Sequence, residues 1–196
     1  MKNYIYKTIF LTALFAVVIL GASSCKGKKA PVHPQPNEVD ITIPCQKEGR
    51  SDKNNFRADA MATSSDMSLS REKALLNAKQ KLSSLINSTL KSVSDYYKNE
   101  TEVGKNSDFE SKFESMTREV VNQKLSNVEV TCEKNTFDKS SGKYNTYIAI
   151  SVNKDDLLNG VNKGITQDEK LRVDYDKMKF EQIFNQEMDK LANERK

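Results

Sequence analysis

Histidine is nearly absent from this sequence, which has a single one, His33, among 196 residues. His33 lies between prolines, in a stretch interpreted below as a linker. With no histidine in the folded body, a serine–histidine–aspartate triad is excluded. Cysteine is also scarce, and the three cysteines form no C-x-x-C pair. The sequence therefore predicts no zinc site, no other metal and no cofactor.

The sequence also lacks a strong excess of either charge. It has 31 basic and 27 acidic residues, a formal net charge of +4. Lys2 and Lys7 belong to an N-terminal leader without acidic residues, so the rest of the chain is close to balanced. Nucleic-acid-binding domains usually present a clustered basic face. We therefore predict no nucleic-acid partner.

No apolar run is long enough for a typical membrane-spanning helix. Met1–Lys7 carries positive charge, and Ile9–Ala22 contains apolar and small residues with one threonine. That run is shorter than the ~20 residues that cross a bilayer and fits the central region of a signal peptide. Residues 1–24 are therefore interpreted as a leader.

Cys25 directly follows the small residues Ala22, Ser23 and Ser24. This order resembles a bacterial lipobox, in which the cysteine is diacylated and the leader is cut before it. Two acyl chains anchor a protein stably. Lys26 stands where an aspartate would favour inner-membrane retention, so by analogy we predict the outer membrane, with the body facing the periplasm. The alternatives are an ordinary signal with an incidental cysteine and an uncleaved anchor; surface exposure also stays open.

Residues 25–38 are predicted to form a tether. Three of the four prolines lie here, Pro31, Pro34 and Pro36. Proline-rich segments adopt extended polyproline II at ~3.1 Å per residue, which gives a semi-rigid spacer of up to about 40 Å. We assign the α/β domain to residues 39–164 and a C-terminal amphipathic helix to residues 165–196.

The two remaining cysteines, Cys45 and Cys132, are candidates for a disulfide. In an oxidising, exported compartment an even number of thiols predicts pairing. Closing a loop of this size stabilises a fold by roughly 4 to 5 kcal/mol in the chain-entropy model. The alternative is two separate buried thiols, because free cysteine behaves as a small hydrophobe.

Four stretches alternate apolar and polar residues, as strands with one buried face do. They are Val39–Cys45, Phe56–Ser65, Val128–Glu133 and Tyr144–Val152. Pro44 predicts that the first of them ends there or lies at a sheet edge. One face of the second stretch is a row of small residues, which would let another element approach closely. A helix from Arg57 onward is the rival interpretation.

Four helices are predicted from spacing and capping residues. The first is long and runs from Ser68 to Tyr97, with Glu72 in its first turn, and the second is Ser107–Leu125, opened by a capping box with Glu110. The third is Asp155–Asn162, ended by Gly160 or Gly164. The fourth runs from Thr166 almost to Lys196 and is opened by a capping box with Glu169. The predicted fold is α+β: a small mixed or antiparallel sheet of about four strands, with a long helix and a second helix packed on one face, plus a long C-terminal helix.

The C-terminal helix carries an apolar stripe among interleaved charges. Such a stripe either packs on the sheet or is presented to a partner. We take its residues as partner-contact candidates: Tyr175, Met178, Phe180, Phe184 and Met188.

Three motifs carry a family resemblance: F-R-A-x-A-x-A-x-S-x-D-M from Phe56, K-A-L-L-N-A-K from Lys73, and T-R-E-V-V-N-Q-K-L from Thr117, followed by Cys132. With the lipobox, they resemble the Lpp-twenty outer-membrane lipoprotein family over roughly Asp40–Lys163. That family is similar in fold to the N-terminal module of the flagellar T-ring protein and to a secreted tumour-necrosis-factor-inducing factor. It commonly has glycines where this chain has Ala60 and Ala62. The resemblance implies a compact α/β domain and brings no catalytic residues.

The sequence thus predicts a non-enzymatic envelope lipoprotein whose body is a protein-interaction or structural module. It leaves the envelope partner and the oligomeric state open. One alternative is a surface-exposed effector that contacts host molecules, by analogy with the inducing factor. Another is a glycan-acting envelope enzyme, which needs a pair of carboxylates in a cleft. Asp66 and Glu72 are candidates for such a pair, although they flank a helix start where capping explains them.

Overall fold

The structure, a computed structural model, describes residues 39–101, 107–173 and 175–194. Every element described below lies in one compact unit, Thr42–Lys196. The described residues form three strands and four helices. In chain order these are β1 (Asn55–Ser64), α1 (Met67–Thr101), α2 (Ser107–Ser126), β2 (Glu129–Asp138), β3 (Lys143–Asn153), α3 (Lys154–Gln167) and α4 (Lys177–Glu194).

The strands make one antiparallel sheet in the order β1-β3-β2. The prediction of about four strands is wrong by one, because Val39–Ile43 forms no strand and pairs with nothing described. Val39 and Ile41 are 84% and 83% exposed. Pro44 has no N–H to donate, and Cys45 has a φ of 61°, which turns the chain away from extended geometry. The α+β class itself is confirmed.

β1 shows the predicted alternation. Its small residues face the helices, with Phe56, Ala58 and Ala60 buried. The first turn of α1 comes very close to this row. The Ser70 hydroxyl donates a hydrogen bond to the carbonyl of Ala62 at 2.9 Å. The rival helical interpretation from Arg57 is therefore wrong.

Helix α1 begins at Met67 and is capped by Asp66, not by Ser68 as predicted. The Asp66 carboxylate accepts a hydrogen bond from the Leu69 N–H at 2.8 Å. With 35 residues, α1 is about 52 Å long at 1.5 Å per residue, which exceeds the length of the strands. Its first half covers β1 and β3, and its second half packs against α2 and α4.

Helix α3 continues through both glycines that were predicted to end it. It is capped at Asn153, whose side chain accepts from the N–H groups of Asp155 and Asp156. A Cβ on Gly160 would lie 2.8 Å from Val120 Cγ1, and one on Gly164 would lie 2.5 Å from Met116 Sδ. The glycines therefore allow close contact between α3 and α2.

The C-terminal helix is present but does not begin at Thr166. Thr166 lies in the last turn of α3, where its hydroxyl donates to the carbonyl of Asn162 at 3.0 Å. The Asp168 carboxylate then accepts from the N–H of Leu171 at 3.0 Å, which makes a turn instead of continuing the helix. Helix α4 begins at Lys177, and the Asp176 side chain caps it through the Lys179 N–H.

Candidate functional site

The predicted disulfide is present. Cys45 and Cys132 are bonded, with Cα atoms 5.5 Å apart and 87 positions apart in the sequence. The bond joins the segment that precedes β1 to the edge strand β2. The pairing prediction is therefore confirmed, and the alternative of two free buried thiols is wrong.

The residues after Cys45 form a strap, residues 45–51, across the sheet face opposite the helices. Gly49 lies so close to β1 that a Cβ there would be 2.5 Å from the Asp59 Cβ. At its end the Ser51 hydroxyl accepts from the Arg57 N–H at 2.9 Å and donates to the Arg57 carbonyl at 3.2 Å. Ala149, opposite Asp59 and Cys132 in the register, is fully buried beneath the strap.

Most of the predicted partner-contact residues lie in the core of the protein itself. Phe180 and Phe184 are 1% and 0% exposed, and Met188 is equally buried. The Phe180 ring lies 5.6 Å from the ring of Tyr97, and Phe184 contacts Phe56. These three side chains therefore pack inside the fold and are not exposed to a partner. Among the five candidates only Met178, 82% exposed, faces solvent fully.

Tyr175, the fifth candidate, is half-buried beside the same cluster. Its hydroxyl donates 2.5 Å to the side-chain oxygen of Asn162, and its ring lies 6.1 Å from that of Tyr97. Burial, with smaller effects of Tyr97 and of nearby carboxylates, raises the pKa of Tyr175. The Tyr175 hydroxyl therefore stays protonated and hydrogen-bonded, and it helps to pack the turn before α4. With its pKa raised, it is poorly suited to transfer a proton near neutral pH.

A groove of about 300 Å³ separates α1 from α2. Phe113 and Thr117 lie in its floor, and charged side chains of both signs stand on its rim. These charges are partly paired: Arg118 contacts Glu114 at 3.3 Å, and Lys98 contacts Asp95 and Glu110 at 3.2 and 3.6 Å. Lys91 has no ion pair with a described residue.

Within the described ranges, no group of three histidine, cysteine, aspartate or glutamate side chains could hold a metal ion. Asp66 is used as a helix cap, and Glu72 is exposed to solvent. Cys25 and His33 lie outside the described residues, and so does the side chain of Ser107.

The two edges of the sheet differ. On the β1 edge, the N–H and carbonyl of Arg57 point away from β3 and hydrogen-bond to Ser51. The Asp59 carbonyl accepts a hydrogen bond from Lys81 Nζ at 3.0 Å, so this edge is largely covered. By the antiparallel alternation and the register, Glu133, Asn135 and Phe137 direct their backbone groups away from β3 on the β2 edge. In the described part of the chain nothing hydrogen-bonds to those groups.

Sequence patterns missed this free edge and the strap. β2 alternates like any strand, and alternation predicts which face is buried but not which edge is paired. Ser51 carries no local signal, because its role depends on Arg57, six residues away. The glycine pair Gly160 and Gly164, four residues apart, was visible, and this spacing on one helix face is the signal that points to helix–helix contact.

Comparison with known proteins leaves the family undecided, since the chain matches no protein-family model and no curated protein. In the described ranges, none of the helices combines the length and apolar character required to cross a bilayer. The class that the fold and these surfaces define is an α+β domain closed by one disulfide, with a helical layer on one sheet face and a strap on the other.

Proposed function

We propose that this protein is a non-enzymatic bacterial envelope lipoprotein, held in the outer membrane by a diacylated Cys25, whose body acts as a protein-interaction or structural module. The observation that carries the proposal is the position of Cys25, directly after the apolar leader and at the first position of the proline-rich tether. The Cys45–Cys132 disulfide supports export, because such bonds persist in oxidising compartments.

The non-enzymatic part of the proposal rests on the residue types. The single histidine belongs to the tether, and the carboxylates considered for glycan chemistry serve capping and surface roles. A similarity to the Lpp-twenty lipoproteins is proposed on the motifs at Phe56, Lys73 and Thr117. A helix packed on a small sheet, as α1 packs on β1 and β3, fits that resemblance.

Labelling with radioactive palmitate in a Gram-negative host tests the anchor. We expect the wild-type protein to be labelled and to sediment with outer membranes, and Cys25→Ala to lose the label. Ser24→Ala is the matched control, because it keeps a small residue before the cysteine and should remain labelled. Label retained by Cys25→Ala would refute lipidation at this position.

Protease shaving of intact cells tests the predicted location. A body that faces the periplasm is protected until the outer membrane is opened, whereas the host-contact alternative requires cleavage in intact cells. Cleavage at the exposed Lys47 or Arg50 of the strap in intact cells would favour the alternative.

A further inference from the structure

We propose that the unpaired segment Val39–Ile43 of one copy adds as a strand to the free β2 edge of a second copy. Each copy donates its segment and accepts that of the other, which closes a two-fold dimer. The proposal names a partner for the interaction module proposed above and rests on that function, but it does not require acylation of Cys25.

The acceptor is the stretch Glu133–Phe137 of β2. Its outward backbone groups have no hydrogen bond to a described residue, unlike those of Arg57 and Asp59 on the opposite edge. Natural edge strands are usually protected by charges, bulges or prolines. β2 has its bulge at Val130 and Cys132, near its start, and Asn135–Phe137 carries no charge. Phe137 is 51% exposed and rests on the ring of Tyr144 at 4.8 Å.

The donor segment, Val39–Ile43, has the composition of a strand but pairs with no described strand. Val39, Ile41 and Ile43 alternate with Asp40 and Thr42, and all five are exposed. β-Branched residues are favoured in strands, and Pro44 ends the segment because it cannot donate. Five residues match the five of Glu133–Phe137, about 16 Å of strand at 3.3 Å per residue.

The side chains of donor and acceptor match at one acceptor position on each face, Phe137 on one and Lys134 on the other. If Ile41 lies opposite Asn135, the apolar row of the donor falls on the face that carries Phe137, and aromatic and β-branched neighbours stabilise paired strands. Asp40 then falls on the other face with Lys134, which is exposed and has no ion pair in the described residues. Shifting the register by one residue would lose both matches.

A second copy is the occupant because each molecule carries both a donor segment and an acceptor edge. Cys45, two residues after Ile43, is bonded to Cys132, the residue just before the acceptor stretch. In a dimer with a two-fold axis, the donor segment of each copy can pair with the β2 edge of the other. The contact is therefore self-complementary.

Cysteine cross-linking of the full-length protein in membranes tests the proposal. One tagged copy carries Asp40→Cys, and a second copy with a different tag carries Lys134→Cys. A short bifunctional thiol reagent should join the two tags into one dimer band. The matched control places the second cysteine at Met61→Cys, which is exposed on the other edge strand, and should give no mixed dimer.

Variants at position 41 give an independent readout without touching the folded body, since Ile41 is exposed. Ile41→Pro removes an N–H and should weaken the cross-linked dimer about 100-fold, whereas Ile41→Val should preserve it. Absence of the mixed dimer, equal cross-linking at Met61→Cys, or cross-linking only within one chain would overturn the proposal. Palmitate labelling of the same cells separates the causes: label without dimer refutes strand pairing alone, and dimer without label refutes the anchor alone.

Discussion

Replacing Gly160 by alanine measures how closely α3 approaches α2. Two effects oppose each other in this variant. Alanine in a helix interior is favoured over glycine by about 1 kcal/mol. The new Cβ would lie 2.8 Å from Val120 Cγ1, and forcing extra atoms into a packed contact typically costs about 1 to 3 kcal/mol. We therefore expect a net loss of about 0 to 2 kcal/mol in the free energy of unfolding.

A double-mutant cycle with Val120→Ala isolates the contact. Removing the Val120 methyl groups relieves the collision, so Gly160→Ala should stabilise the Val120→Ala background through its helix preference. The expected coupling energy is about 1 to 3 kcal/mol. Gly164→Ala is the control position, because its Cβ would meet the flexible thioether of Met116, which can move aside.

Urea unfolding followed by circular dichroism gives all four free energies of the cycle. The slope of the transition should be the same in each variant, since none changes the surface exposed on unfolding. If the two substitutions are additive within about 0.5 kcal/mol, the close packing of α3 on α2 is refuted.

Three further predictions concern the disulfide, the C-terminal helix and one carboxylate. Replacing both Cys45 and Cys132 by serine should lower the free energy of unfolding by roughly 4 to 5 kcal/mol, measured in urea against the oxidised protein; a loss below about 1 kcal/mol would contradict it. Phe184→Ala should cost about 3 to 5 kcal/mol, and Met178→Ala, on the exposed side of α4, less than about 0.5, so equal melting temperatures would refute the packing of α4. The hydroxyls of Ser140 and Ser141 lower the pKa of Asp138 to about 2. Because the pKa in the folded protein is depressed below its ordinary 3.8, the contribution of Asp138 to stability is present above that pH and is lost as pH falls toward 2. Carboxyl NMR titration should give this value and show it rising in Ser140→Ala.

The parts of the fold that the sequence predicted are those decided by local pattern. β1 has a period of two, and only a strand places Phe56, Ala58 and Ala60 on one face. The disulfide was predictable because the interpretation of Cys25 as a lipidated cysteine of an exported protein leaves two cysteines to pair. Helix α1 was predictable from its length, since 35 residues at helical spacing contain no glycine or proline.

The parts that failed depend on distant residues. The alternating pattern at Val39–Ile43 indicates that the segment could pair as a strand. Pairing also requires a neighbouring strand, which the pattern does not predict. A T-x-x-E motif at Thr166 fits the last turn of α3 as well as the start of a helix, and Asp168 decides the outcome by closing a turn. The spacing predicts the apolar stripe of α4, but the burial of Phe180 and Phe184 depends on the positions of α1 and β1.

The bond between Cys45 and Cys132 also determines how a mechanical load enters the fold. A pull from the N-terminal side reaches Cys45 before any of the described strands, and there it divides between two covalent routes. One follows the strap to β1, and the other crosses the disulfide to β2. These are the two outer strands of the sheet, and β3 lies between them. Tension is therefore shared across the whole sheet, and β1 cannot be peeled away alone while the bond is intact.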